Sequence, residues 1–428
     1  MFDYRKLLKN NFTKSVLMIT GGTAFAQFLS IVLSPIITRI YPPEQYGVLT
    51  VYVSILGMLS IVGSLKYEWG IPIADDEEKA INTLALSIIV LLFIVSLITF
   101  AIIIFGTSFL GLFDAKSLID YKFLIPIGVF MMGLYSIFTQ WALRNKNYKS
   151  ISKTKFSQSI SQNIIKIGLG LLKIGPIGLI IGNITGQSAG ITTLASPLFR
   201  KNRELLKKIN FKKIIWSAKR YKEFPMYLAP SQFLNTAGLQ LPVLMITSIY
   251  GKSTIGLYGL ANSIVSIPMN LIGRSIADVF YAEAASIGRT DPEQLKNLSI
   301  KLLKKLILVG IVPLITLLIF GPILFSFVFG EAWYQAGVYA RILSFLVFTR
   351  LIFTPISMVF SVFEKQKQAL ILDVLRVGFV LFVFFIAYYF SLNSYSAIIL
   401  YTISMSFIYF LTFVWAQRII NLEIENKY

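Results

Sequence analysis

A 428-residue chain that is 56% hydrophobic and only 14% charged, with 35 phenylalanines, has too little polar sequence to cover a soluble core. Its mean hydropathy of +0.72 is that of an integral membrane protein. It contains neither Cys nor His, which excludes disulfides, thiol nucleophiles, Cys or His metal ligands and histidine proton relays, while carboxylate-bound Mg²⁺ or Na⁺ stays open. The formal charge of +20 sits in short connectors, so lipid headgroups and the positive-inside rule account for it without nucleic acid.

The first predicted span, about 15–40, follows Arg5, Lys6, Lys9 and Lys14 and holds Gly21, Gly22, Gln27 and Pro35. These residues allow close packing or a bend. No small-residue cleavage site follows it, which predicts a retained span rather than a signal peptide. Pro42 and Pro43 end it. Span 2 covers about 46–70 and precedes the acidic loop ADDEEK; span 3, about 80–105, is the most apolar of the first half. Span 4 covers about 121–143 and leads into a basic loop at 144–150. Spans 5 (about 156–172) and 6 (about 176–198) are rich in Gly, Ser, Thr and Asn, a composition for facing helices or a wet cavity rather than lipid.

The connector 200–222, RKNRELLKKINFKKIIWSAKRYK, carries ten Lys or Arg residues. Its amphipathic part, about 205–216, is expected to lie along the inner leaflet. Six further spans follow, at about 224–249, 254–282, 302–329, 333–363, 369–390 and 395–417. With the N-terminus inside, the cytoplasmic segments hold 29 Lys/Arg and the external ones 5, and the bias alternates across twelve spans. Both termini are therefore expected in the cytoplasm. The predicted organisation is an N-terminal six-helix bundle at 1–199, the basic connector at 200–222, and a C-terminal six-helix bundle at 223–428. Span 1 turns into QYGVLTVYVSIL at 45–56, and span 7 into IGLYGLANSIV at 255–265. Two similar opening hairpins fit a duplicated transporter half.

Ionisable side chains inside spans cost several kcal/mol on insertion scales and usually face a partner or a cavity. They are Lys66, Glu68, Lys166, Arg274, Asp278, Arg341, Arg350, Asp373 and Arg376, with Arg39 and Lys173 near outer ends. Arg274 and Asp278, four apart, can pair on one helix face or line a cavity. Lys66, Glu68, Asp373 and Arg376 lie close enough to span ends to snorkel. Arg350 is mid-span with no carboxylate in its own helix, and Lys166 sits in a polar span; both are read as cavity-lining. The excess of cations suits an anionic cargo. Trp69, Trp141, Trp333, Tyr334 and Tyr339 are read as interfacial anchors or platforms for sugar rings. No P-loop, paired-carboxylate spacing or nucleotide fingerprint is present, so the chain is not expected to be an enzyme, and an H⁺ or Na⁺ gradient, membrane potential or the cargo gradient must supply energy.

Four stretches carry a family resemblance: SPIITRIYPPEQYG at 34–47, ALRNKNYKSIS at 142–152, IGLYGLANSIVSIPMNLIGRSIADVFYAEAA at 255–285 and FGEAWYQAG at 329–337. Together they make the chain resemble the bacterial oligosaccharide flippases, the O-antigen and capsule-unit exporters of the multidrug/oligosaccharidyl-lipid/polysaccharide exporter superfamily. Arg39 and Arg274 fall on the motifs. The resemblance implies an all-α membrane protein of twelve transmembrane helices, two six-helix bundles around a central cavity. It implies alternating-access movement of a polyprenyl-pyrophosphate-linked oligosaccharide across the cytoplasmic membrane of a bacterium for cell-surface polysaccharide synthesis. Arg350, Lys166, Arg274, Arg39, Asp278 and Lys66 are the expected cavity residues. Membrane lipids, a polysaccharide polymerase and glycosyltransferases are the expected partners. An ion-coupled multidrug exporter is the related alternative, expected to prefer cavity carboxylates for cationic drugs. A membrane polymerase or ligase would need a long external loop, and every external loop here is short.

Overall fold

The computed structural model describes residues 11–112, 116–267, 269, 273–287 and 291–425. Every regular element among them is helical. The long helices are α1 (Asn11–Ile40), α2 (Pro43–Val62), α3 (Glu77–Leu112), α4 (Leu124–Arg144) and α5 (Tyr148–Leu171). Then come α6 (Ile177–Ser188), α7 (Ile191–Lys201), α8 (Phe211–Arg220), α9 (Ala229–Val265) and α10 (Arg274–Ile287). The chain ends in α11 (Pro292–Phe329), α12 (Tyr334–Phe353), α13 (Gln366–Tyr389) and α14 (Ser394–Glu425).

Local chemistry sets the helix ends. Asp76 accepts from the Lys79 amide at 2.7 Å ahead of α3, whose first turn holds Glu77 and Glu78 at the positive end of the helix dipole. Asp291 caps α11 through the Gln294 amide at 3.0 Å, with Pro292 in the first turn. Asn147 caps α5 through the Ser150 amide. The 36 residues of α3 reach ~54 Å at 1.5 Å per residue, more than a bilayer core.

Nine helical segments among the described residues are long and apolar enough to cross a membrane. They carry predicted spans 1–4, 7 and 9–12, so this is a multi-pass membrane protein. The other three expected spans are present in altered form. Span 5 is α5, a continuous 24-residue helix whose polar face keeps its hydropathy low. Span 6 is broken into α6 and α7 where Ala189 is extended and Gly190 adopts φ +103°. Span 8 begins inside α9, beyond Gly251 at φ +77°, and resumes as α10. Only glycine takes that conformation at Gly251 cheaply, and the helix direction changes there.

Two compact units result. The first comprises the described residues of Met1–Tyr41 and Val48–Thr236, the second Pro42–Gly47 and Ala237–Tyr428. In the first, α1 packs on α5, α5 on α6, and α3 on α4. Its core gathers Ile81, Leu91, Ile137, Trp141 and Leu194. In the second, α11 packs on α12, and α14 on both α12 and α13. Its core includes Phe280, Ile356, Phe360, Leu372 and Ile419.

Trp141 and Trp333 are fully buried, and Tyr339 is buried with its hydroxyl 2.8 Å from Ser394 Oγ. These three are packing residues, neither interfacial anchors nor sugar platforms. Trp69 and Tyr334 are exposed.

Candidate functional site

The most distinctive polar feature of the first unit is a seam along α5. Ser159, Asn163, Lys166 and Gly170 follow at intervals of four, three and four, which places them on one helix face, and all four are buried. Ser159 Oγ donates to the Ala26 carbonyl of α1 at 2.8 Å and lies 3.1 Å from Ser30 Oγ. Asn163 Nδ2 donates to the Ser159 carbonyl at 2.7 Å and reaches Ser30 Oγ at 3.4 Å. At Gly170 the two helices close up: a Cβ would stand 2.6 Å from Ile40 and 2.8 Å from the Tyr41 ring.

Lys166 is the charged member of this seam and only 7% exposed. Its backbone carbonyl accepts the Tyr41 hydroxyl at 2.8 Å, which fixes that turn of α5 against the end of α1. Its aliphatic stem fills the space left by Gly182 of α6, where a Cβ would collide with Lys166 Cγ. Among the described residues the ammonium takes part in no ion pair. Removing a charge from water costs several kcal/mol unless it is compensated. Gln27 Oε1 of α1 and Asn183 Oδ1 of α6 are also buried, without hydrogen-bond partners among the described residues. The Lys166 ammonium offers three donors, and the two unpartnered amide atoms are acceptor oxygens.

The glycines that permit this packing repeat every fourth residue: Gly178, Gly182, Gly186 and Gly190. Each faces α5 or Tyr41. A Cβ at Gly186 would stand 2.7 Å from Gln162 Oε1, and those at Gly178 and Gly190 would collide with Tyr41 Oη and Thr154. Sequence reasoning recognised span 6 as small and polar but missed this spacing, the small-xxx-small signature of close helix contact.

The other expected residues are spread through the molecule. Arg39 is exposed on the last turn of α1. Lys66 is half-buried in the left-handed region, φ 63°, in the loop after α2, and so stands outside the helix predicted to contain it. Arg274 opens α10, its side chain lying outside the described residues, and Asp278 is exposed on that helix. Arg350 is half-buried on α12. Of the expected residues, Lys166 alone lies within the polar seam described above.

Two charged groups expected to snorkel do not. Glu68 is 1% exposed and accepts the hydroxyls of Ser64 at 2.6 Å and Ser136 at 3.2 Å. Nearby Arg144 reinforces the loop, donating to the carbonyls of Ile71 at 3.1 Å and Ala74 at 2.6 Å while pairing with Glu77 at 3.1 Å. Arg376 is buried on α13, paired with Asp373 at 2.7 Å and stacked 5.3 Å over the Tyr409 ring. Glu68 is held inside by Ser64 and by Ser136, 68 residues away, and Arg376 by Asp373 on its own helix together with the Tyr409 ring of α14. Arg341 donates to the Ile319 carbonyl at 3.3 Å. Among the described residues no group of three or more acidic side chains is placed to hold a metal ion.

Comparison with solved structures defines the fold. The chain is similar to a multidrug resistance transporter of the MATE family in its inward-facing conformation: TM-score 0.77, 15% identity, 93% of this chain and 96% of the other covered. It is also similar to the outward-facing form of a multidrug resistance MATE-family transporter, with TM-score 0.60, 15% identity and 99% of both chains covered. A third similar protein is a transporter of the same superfamily from Pyrococcus furiosus, described as having a binding pocket of reverse polarity that suggests a different function. There the TM-score is 0.65 at 15% identity, again over 99% of both chains. The fold is therefore the twelve-helix, two-bundle fold of the multidrug/oligosaccharidyl-lipid/polysaccharide exporters.

Residues 36–338 match the model of the family described as polysaccharide biosynthesis protein. The chain belongs to this family, as its resemblance to the oligosaccharide flippases implied. No curated protein matches the sequence.

Proposed function

We propose that the protein exports a polyprenyl-pyrophosphate-linked oligosaccharide across a bacterial cytoplasmic membrane by alternating access, with both termini in the cytoplasm. The observation that carries this reading is Lys166, a buried cation with no ion-pair partner among the described residues, set in a seam of amides and hydroxyls. Pyrophosphate would supply the missing negative charge, and the glycan hydroxyls would engage groups such as Gln27 and Asn183. Arg350, mid-span and without a carboxylate in its own helix, is the second candidate cation. The prenyl tail would stay in lipid, so only the polar head needs shielding. Membership of a polysaccharide-biosynthesis family supports a glycan cargo over other anions. An H⁺ or Na⁺ gradient is the proposed energy source, and the polymerase and glycosyltransferases of the same route are the proposed protein partners.

A second reading, export of small molecules, is favoured by one observation: structural neighbours of this chain are multidrug resistance transporters. Such cargo is commonly cationic, and a buried lysine would repel it. The Pyrococcus furiosus transporter, whose pocket is described as reversed in polarity, is a precedent for a different cargo on this fold. Export assays on Lys166→Met and Arg350→Met in a strain dependent on this protein separate the readings. Loss of surface glycan at normal protein abundance supports the anionic cargo; unchanged glycan in both variants removes it.

A further inference from the structure

The basic connector is clasped to the first unit rather than hanging free. Asn82 of α3 holds it in both directions, donating through Nδ2 to the Lys208 carbonyl at 3.2 Å and accepting the Asn210 amide at 2.8 Å. Thr83 Oγ1 lies 3.2 Å from Ser217 Oγ, Tyr67 donates to the Ala218 carbonyl at 3.4 Å, and Glu78 pairs with Lys213. Asn210 caps α8 through the Lys212 amide at 2.9 Å. The connector helix is thus fixed in rotation.

That rotation sorts its side chains into three strips, at ~100° per residue. Ile214 and Ser217 are buried against the first unit. Phe211 and Ile215, on the neighbouring strip, are 73% and 41% exposed. Beyond them Lys212, Trp216 and Lys219 share a third, exposed strip. Lys212 and Lys219 form no ion pair among the described residues, whereas Lys213 and Lys207 are already paired with Glu78 and Glu204. A helix fixed in rotation, with an open apolar strip flanked by an open basic one, has the layout of an in-plane interfacial helix.

We propose that α8 is a docking site for anionic phospholipid headgroups of the surrounding bilayer. Phe211 and Ile215 enter the acyl boundary, and Lys212 and Lys219 take the phosphates. Charge complementarity selects this occupant, since each basic residue near an anionic surface strengthens binding roughly five-fold. Because Asn82, Thr83 and Glu78 hold α8 to α3, the lipid would be bound by the first unit specifically. The proposal does not depend on which cargo is exported.

The chain has no cysteine, so Ile215→Cys places a single spin label on the apolar strip. The full-length protein is reconstituted in nanodiscs of phosphatidylcholine alone and of equal parts phosphatidylcholine and phosphatidylglycerol. The label should be shielded from an aqueous relaxation agent and open to oxygen in the mixed discs, and less shielded in phosphatidylcholine. Native mass spectrometry of the protein released from mixed discs should show retained phosphatidylglycerol, falling about 25-fold in affinity in K212Q/K219Q, two five-fold losses. A label equally wet in both lipids, a label equally buried in both, or phosphatidylglycerol retention unchanged in the double variant would each overturn the proposal. Both lysines are exposed, so the double variant should fold normally.

Discussion

Gly47 and Gly256 meet backbone to backbone in the second unit. A Cβ on Gly256 would lie 2.9 Å from the Gly47 amide nitrogen and would collide with the Pro43 carbonyl oxygen, and one on Gly47 would collide with the carbonyl oxygen of Lys252. These glycines open the two hairpin motifs that look alike in the sequence, QYGVLT and IGLYGL. Within the second unit the first glycines of the two motifs meet, with Tyr46 edge-on to Trp333 at 5.5 Å.

Gly47→Ala and Gly256→Ala should each destabilise the protein by roughly 1–3 kcal/mol, because the opposing atoms are main chain and cannot swing aside. Thermal unfolding in detergent measures this. The double variant should cost less than the sum, since one displacement relieves both contacts. Full additivity would mean the two sites do not share a crossing.

The apolar spans and the bias of Lys and Arg were legible because hydropathy and loop charge are local properties of the chain. Span 5 was legible as polar, and Lys166 stood out within it. The fate of Glu68 was not, since its burial depends on Ser136, 68 residues away, and on a loop that turns through left-handed Leu65 and Lys66. For Arg376 the ion pair with Asp373 is local and open to sequence reading, while its stacking partner Tyr409 lies on another helix. Gly251 was legible as the turn between spans 7 and 8, where IYGKST interrupts the apolar sequence, and the kink falls there.

Glu68 gives the second prediction. Glu68→Ala removes the acceptor of two hydroxyls and should cost roughly 1–3 kcal/mol, while Glu68→Gln keeps an acceptor oxygen and should recover most of that loss. Unfolding midpoints of the two variants decide the matter. Equal destabilisation would show that the charge, rather than the hydrogen bonds, holds the loop.

Gly182→Ala tests the placement of Lys166 without altering its charge. The new methyl competes with the lysine stem for the same space, so the ammonium must shift while the α5–α6 contact widens. Export should fall at unchanged abundance, and Gly168→Ala, where a Cβ meets nothing within 4 Å, should export normally. Equal activity in both variants would separate Lys166 from cargo handling.

Lys166→Arg keeps a cation and should retain part of the activity, whereas Lys166→Met should lose roughly 10- to 100-fold in apparent affinity for a pyrophosphate-bearing lipid, the worth of a charge-assisted hydrogen bond. Titration with lipid-linked glycans of increasing concentration distinguishes this loss of affinity from a loss of folded protein.

The most direct measurement is flipping in proteoliposomes that contain purified protein and a fluorescent polyprenyl-pyrophosphate-linked saccharide. Wild-type protein should expose the saccharide on the opposite leaflet at a rate well above empty vesicles, and Lys166→Met should abolish most of that gain. Vesicles that fail to flip the lipid-linked saccharide but transport a small cationic compound, with Lys166→Met as active as wild type, would contradict the account.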